Sequence, residues 1–155
     1  MSSVAPRRAA RAIFWAGFAA GVLDLLFAWI AFGKPLPALL KVIAGGWYGR
    51  AAGQGGAEVA VVGFLSHFLI SLGAAAVYYA ASRALPWLNR HPVIAGLTYG
   101  LLVYLVLPLS AYHTPVRFPS LLKPDVLSHL LLVGLPIAWI VRRVGPPART
   151  PAVPV

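Results

Sequence analysis

The chain has 155 residues, of which 60% are hydrophobic and only 10% charged, with a mean hydropathy of +0.81. Soluble domains carry roughly a quarter charged residues, so this composition cannot build both a conventional core and a charged surface, and membrane lipid is the expected solvent for the excess apolar area. The net charge of +10 comes from bases at the ends of apolar runs, which suits anionic headgroups and topology control, whereas a nucleic-acid partner would need a basic patch on a soluble domain.

An all-α, polytopic membrane protein follows, a four-transmembrane-helix bundle in a single domain over 1–143. The first span, 12–32, comes after Arg7, Arg8 and Arg11. Those arginines resemble a signal-peptide n-region, but the apolar run is too long for an h-region and no A-x-A site ends it, so it reads as an uncleaved span. Its one ionisable residue is Asp24. Gly33, Lys34 and Pro35 close it. Segment 36–50 places Leu36, Leu39, Leu40 and Ile43 on one helical face and is expected as a short interfacial or re-entrant helix. It leads into six glycines between Gly45 and Gly56, expected as a flexible or tightly packed turn.

The second span, 57–81, opens near Glu58 and closes at Ser82 and Arg83. The third, 92–112, opens on Pro92, a good first-turn residue, and passes through Pro108. The fourth, 124–143, opens on Pro124 with Asp125 in its first turn, where the helix dipole favours an acid. Pro136 is expected to kink it, and Arg142 and Arg143 end it. The tail 144–155 holds four prolines and is expected to be disordered or extended.

Small residues mark the faces where helices can approach closely in lipid. In the first span Gly17, Ala20, Gly21, Asp24, Ala28 and Ala31 share a stripe. In the second the stripe is Ala60, Gly63, His67, Ser71, Ala74 and Tyr78, and in the third Gly96 and Gly100 precede Tyr104. Gly17/Gly21 and Gly96/Gly100 are GxxxG pairs, which also offer a face for a homo-oligomer. Phe18, Leu25, Phe64, Phe68 and Leu72 fall off the stripes and are expected to meet lipid.

A carboxylate at bilayer depth is costly unless it faces protein or water, so Asp24 needs a partner. In antiparallel spans Asp24, His67 and His129 fall at one level, and Asp125 lies four residues before His129 and can pair with it. His67 is the expected partner of Asp24, directly or through one water, with His129 the next candidate. Such a cluster suits a proton, ion or small-solute pathway; the competing reading is interhelical polar glue that only fixes packing. Asp125 and His129 have the spacing of two metal ligands, but the dipole alone explains a first-turn Asp, so no metal is assigned. Glu58 is expected to satisfy first-turn amides. Most of the five tryptophans fall near span ends, as an interfacial belt does.

With no cysteine there is no disulfide, thiolate site or cysteine nucleophile. A Walker A loop, GxSxG and HExxH are also absent, so neither enzyme activity nor a cofactor is expected. The segments Ser66-His67-Phe68, Ala80 to Pro86, Gly96-Leu97, Gly100, Leu107 to Ala111, Thr114-Pro115 and Leu127 to Leu130 occur in an order that resembles the YagU-like family of small bacterial inner-membrane proteins. The resemblance covers roughly 60–143 and implies a membrane topology rather than an activity.

Lysine and arginine set the orientation. Arg7, Arg8, Arg11, Arg83, Arg90, Arg142, Arg143 and Arg149 make eight on one side, against five on the other: Lys34, Lys41, Arg50, Arg117 and Lys123. The richer side, with both termini, is expected in the cytoplasm. Reporter fusions at the C-terminus and within 115–122 are expected to report opposite sides of the membrane; the same side for both would defeat the four-span topology.

Overall fold

A computed structural model describes residues 4–111 and 124–145. Those residues are helical throughout apart from short connections, and none of them forms a strand. Helix α1 spans Val4–Phe32 and stops at Gly33, whose φ of +59° lies in the left-handed region that a side chain resists. Helix α2 is Leu36–Tyr48, begun by Pro35 and Pro37 and ended by Gly49, again at φ +59°. A 3-10 turn over Gly49–Gln54 leads to α3, Ala57–Ala84. The glycine-rich stretch is therefore largely ordered helix and turn; Gly45 and Gly46 lie inside α2. At the start of α3 Glu58 accepts from the Gly56 amide at 2.8 Å, an exposed first-turn contact as expected.

Beyond the short α4, Pro86–Arg90, α5 occupies Pro92–Ala111. The last helix is interrupted: α6 is Pro124–Ser128, a π-helical turn covers His129–Gly134, and α7 is Leu135–Val144. The disturbance expected from Pro136 thus takes the form of a wide turn just before it. Proline has no amide proton, and its ring crowds the carbonyl four residues back; a π turn gives that carbonyl room. Tyr112, His113, most of the tail and the loop carrying Arg117 and Lys123 lie outside the described residues.

Among the described residues three helical segments are long and apolar enough to cross a membrane: Pro6–Phe32, Ala57–Ala84 and Pro124–Val144. The 27 residues of the first reach about 40 Å at 1.5 Å each, more than a hydrocarbon core. Helix α5 contributes a shorter apolar stretch, Pro92–Val106. Large apolar side chains such as Ile30 and Leu69 stand about 70% exposed, the pattern of a protein solvated by lipid.

The core is made of small side chains: Ala16, Ala20, Ala75, Ala95 and Ala138 pack with Tyr78, Val133, Ile137 and Val141. Both GxxxG pairs are used inside the chain. A Cβ on Gly17 would lie 2.7 Å from the Leu72 Cα, and one on Gly21 3.1 Å from the Phe68 ring. Phe68 and Leu72 therefore fill the grooves that glycine opens in α1, and Leu25 lines a cavity, contrary to the lipid-facing expectation. Phe18 and Phe64 are exposed as expected. Gly63 abuts the backbone of Leu40, seating α2 on α3. There Trp47 Nε1 donates to Ser66 Oγ at 2.9 Å, so this tryptophan clips two helices together.

A close backbone contact also joins α5 to the π turn. A Cβ on Gly96 would lie 2.9 Å from the Gly134 carbonyl oxygen; Gly100 abuts the His129 carbonyl, and Gly134 abuts the Gly96 carbonyl and the Gly100 backbone. Gly134→Ala is expected to lower thermal stability in detergent by about 1–3 kcal/mol, because the obstruction is backbone that cannot rotate away. Gly73→Ala, where nothing lies within 4 Å, is expected to be neutral or to stabilise by up to about 1 kcal/mol through helix propensity. Equal melting shifts for the two variants would contradict this packing.

Candidate functional site

Asp24, His67, Asp125 and His129, the four residues singled out from sequence, line one cavity of about 430 Å³. The chain has only three acids and four histidines, so two of each kind meet here. Helix register brings them together. Gly17 faces Leu72 and Gly21 faces Phe68, which makes α1 and α3 antiparallel and sets His67 beside the turn before Asp24. Gly96 against Leu135 and Gly100 against Leu130 make α5 antiparallel to the last helix, which presents Asp125 and His129 beside Tyr104 of α5. Leu39, Val42 and Ile43 of α2 and Val103 of α5 complete apolar walls.

The pairing differs from the one expected. His67 Nε2 bonds the Gly21 carbonyl oxygen at 2.8 Å rather than Asp24. Asp24 instead lies by the last helix: its Oδ1 accepts from Ser128 Oγ at 3.2 Å and sits 4.0 Å from His129 Nδ1. That separation is too long for a direct hydrogen bond. His129 Nδ1 contacts the Asp125 carbonyl oxygen at 2.8 Å, not its carboxylate, which accepts from Tyr104 Oη at 3.1 Å. The i,i+4 pair is thus satisfied through backbone, because His129 opens the π turn and its ring folds back along the helix. Nor is the cluster buried: the side chains of Asp24 and His129 are about 20% exposed, into the cavity.

Carbonyl oxygens only accept, which fixes the imidazoles. His67 must carry its proton on Nε2 and His129 on Nδ1. The Ser128 hydroxyl lies 3.3 Å from His129 Nδ1, 3.2 Å from Asp24 and 2.9 Å from the Asp125 carbonyl. It has one proton for the last two. His129 Nδ1, Ser128 Oγ and Asp24 Oδ1 thus lie in a row, 3.3 and 3.2 Å apart.

Sequence reasoning missed Ser128 and Gly134, and it placed Tyr104 only as a packing residue. Ser128 was visible as the hydroxyl next to a candidate histidine. Gly134 was visible as a glycine two residues before an intramembrane proline. Among the described residues no three His, Cys, Asp or Glu side chains converge as a metal site would require. Comparison with protein-family models, with curated proteins and with solved structures finds no match.

The two histidines are expected to be opposite tautomers when neutral, Nε2–H at position 67 and Nδ1–H at position 129. Nitrogen NMR of histidine-labelled protein, with His67→Gln and His129→Gln for assignment, checks this. A shared tautomer would mean that one of the two carbonyl contacts does not form.

Proposed function

We propose that this is a four-span protein of a bacterial inner membrane, both termini cytoplasmic, whose cavity handles protons, ions or a small solute. The observation that carries the reading is the convergence of both aspartates and two histidines on one cavity among apolar helices. The expected third span, 92–112, is α5: its glycine face packs along the Pro124–Val144 span, so a bilayer around that span also surrounds α5. Kinship with the YagU-like family is part of this proposal and adds no activity to it. Both GxxxG faces being occupied within the chain, an oligomer would use another surface.

Energetics favours a working site over polar glue. A carboxylate at the centre of a spanning helix costs roughly 2.5–3.5 kcal/mol on insertion scales. A hydrogen bond to a charged group returns about 1.5–3 kcal/mol net when it is fully made. Among the described residues Asp24 has one side-chain donor, Ser128, and shares it with the Asp125 carbonyl. Contacts of this kind leave acceptor capacity on Asp24 that something entering the cavity can use.

Asp24→Asn separates the two readings, since it removes the charge and keeps the shape. For a working site, the wild-type protein in proteoliposomes shows pH-dependent flux and the variant loses it, while the melting temperature moves by no more than about 2–4 °C, the scale of 1 kcal/mol in a chain of this size. For a structural role, melting falls further and neither protein shows flux.

A further inference from the structure

The cavity has an unbalanced hydrogen-bond inventory. Each polar side chain on its wall that can donate already does so to the protein. His67 Nε2 serves the Gly21 carbonyl, and Ser71 Oγ serves the His67 carbonyl at 2.9 Å. Tyr104 serves the Asp125 carboxylate, and His129 Nδ1 serves the Asp125 carbonyl. The acceptors are in surplus. Among the described residues each aspartate has one hydrogen-bonded side-chain partner, with room for more. Neutral imidazoles leave His67 Nδ1 and His129 Nε2 as acceptors too. No lysine or arginine is among the lining residues described. A ligand that presented acceptors, such as a carboxylate, a phosphate or a quinone carbonyl, would find no free donor among the described lining residues.

The remaining wall is apolar, with Leu25, Phe32, Leu39, Val42, Ile43 and Ile70 among its residues. The volume of about 430 Å³ is far beyond that of a bare ion and is the size of small-molecule pockets. The absence of a convergent set of three metal-ligating side chains among the described residues likewise disfavours a dehydrated metal cation. A ligand that suits both halves carries N–H donors and positive charge at one end and a hydrocarbon body at the other.

We propose that the cavity binds a protonated amine with an apolar body, its ammonium group held between Asp24 and Asp125 and its hydrocarbon part against α2 and α3. This rests on the reading of the cavity as a solute site and names the solute class. The Tyr104 ring, which lies on the same wall, adds an aromatic surface suited to a cation.

The test uses the full chain in nanodiscs, with empty nanodiscs subtracted, and tritiated 4-phenylbutylammonium as the probe. Its competitors are pentylbenzene, which replaces the ammonium by methyl, and 5-phenylpentanoate, which replaces it by a carboxylate. Saturable binding of the amine is expected, with both competitors weaker than unlabelled amine by about tenfold or more, as loss of a desolvated charge pair implies. Asp24→Asn and Asp125→Asn are each expected to weaken the amine by about tenfold, with melting checked in the same samples. Because the isosteres compete on the unaltered protein, the result does not depend on the variants folding. Pentylbenzene competing as well as the amine would overturn the assignment and make the cavity a site for apolar chains. So would competition by the carboxylate, or full affinity in both folded variants. If no probe binds while the flux lost in Asp24→Asn persists in the wild type, the amine is refuted and the proton or ion reading stands. If binding and flux are both absent, both proposals fall.

Discussion

The backbone contact between α5 and the π turn is the constraint on which the cavity depends. Gly96, Gly100 and Gly134 bring two helices together with no side chain between them. In lipid there is little hydrophobic gain from pairing apolar helices, so close packing and polar contacts must supply the association. The same contact decides where the chemistry sits. His129 begins the π turn, its carbonyl rests on Gly100, and its ring turns toward the Asp125 carbonyl and the Ser128 hydroxyl. A regular α-helix through these residues would rotate Asp125 and His129 relative to Val133 and Ile137. Either the acids would leave the cavity or the core would open. Pro136 prevents that regular helix, so the proline, the wide turn and the three glycines form one solution to one steric problem.

Much of this was legible in the sequence. Helix boundaries at Gly33, Pro35 and Pro92 follow from backbone chemistry that is local, and the structure places them there. The small-residue stripes identified the contact faces because lipid leaves close packing as the main signal. Asp24, His67, Asp125 and His129 reached one cavity because depth along antiparallel spans can be counted at a fixed rise per residue. What could not be read was azimuth, the direction in which each residue points around its helix. Depth places His67 and His129 equally near Asp24. Only the π turn, which adds a residue to the helical register, gives His129 the closer approach and leaves His67 to the Gly21 carbonyl. Phe68 and Leu72 misled for a related reason: a stripe of small residues is a groove, and a groove is filled by a partner's large residues.

Segment α2 shows how a short element takes a role that its composition leaves open. It is too short to span a membrane, and its apolar face suits an interface equally well. Leu39, Leu40 and Ala44 are buried, while Leu36, which shares the expected face, is exposed. Gly63 and the Trp47–Ser66 bond hold the helix against α3, and Leu39, Val42 and Ile43 become cavity wall. Without α2 the acids would face whatever lies beside α1 and α3. With it, they face a partly open cavity with apolar walls.

Those apolar walls give the hydrogen-bond imbalance its direction. In water, surplus acceptors are satisfied at no cost and carry no information. Against walls of leucine, isoleucine and valine, a carboxylate has few other polar groups to meet. The described tyrosine, serines and imidazoles are engaged with acceptors of the protein. Further donors would come from outside the described side chains, as in a ligand that brings N–H groups. A protonated amine with a hydrocarbon body would meet the acceptors and the apolar wall at once. A site in that condition favours binding over permanent closure, which is what separates a working cavity from a packing defect.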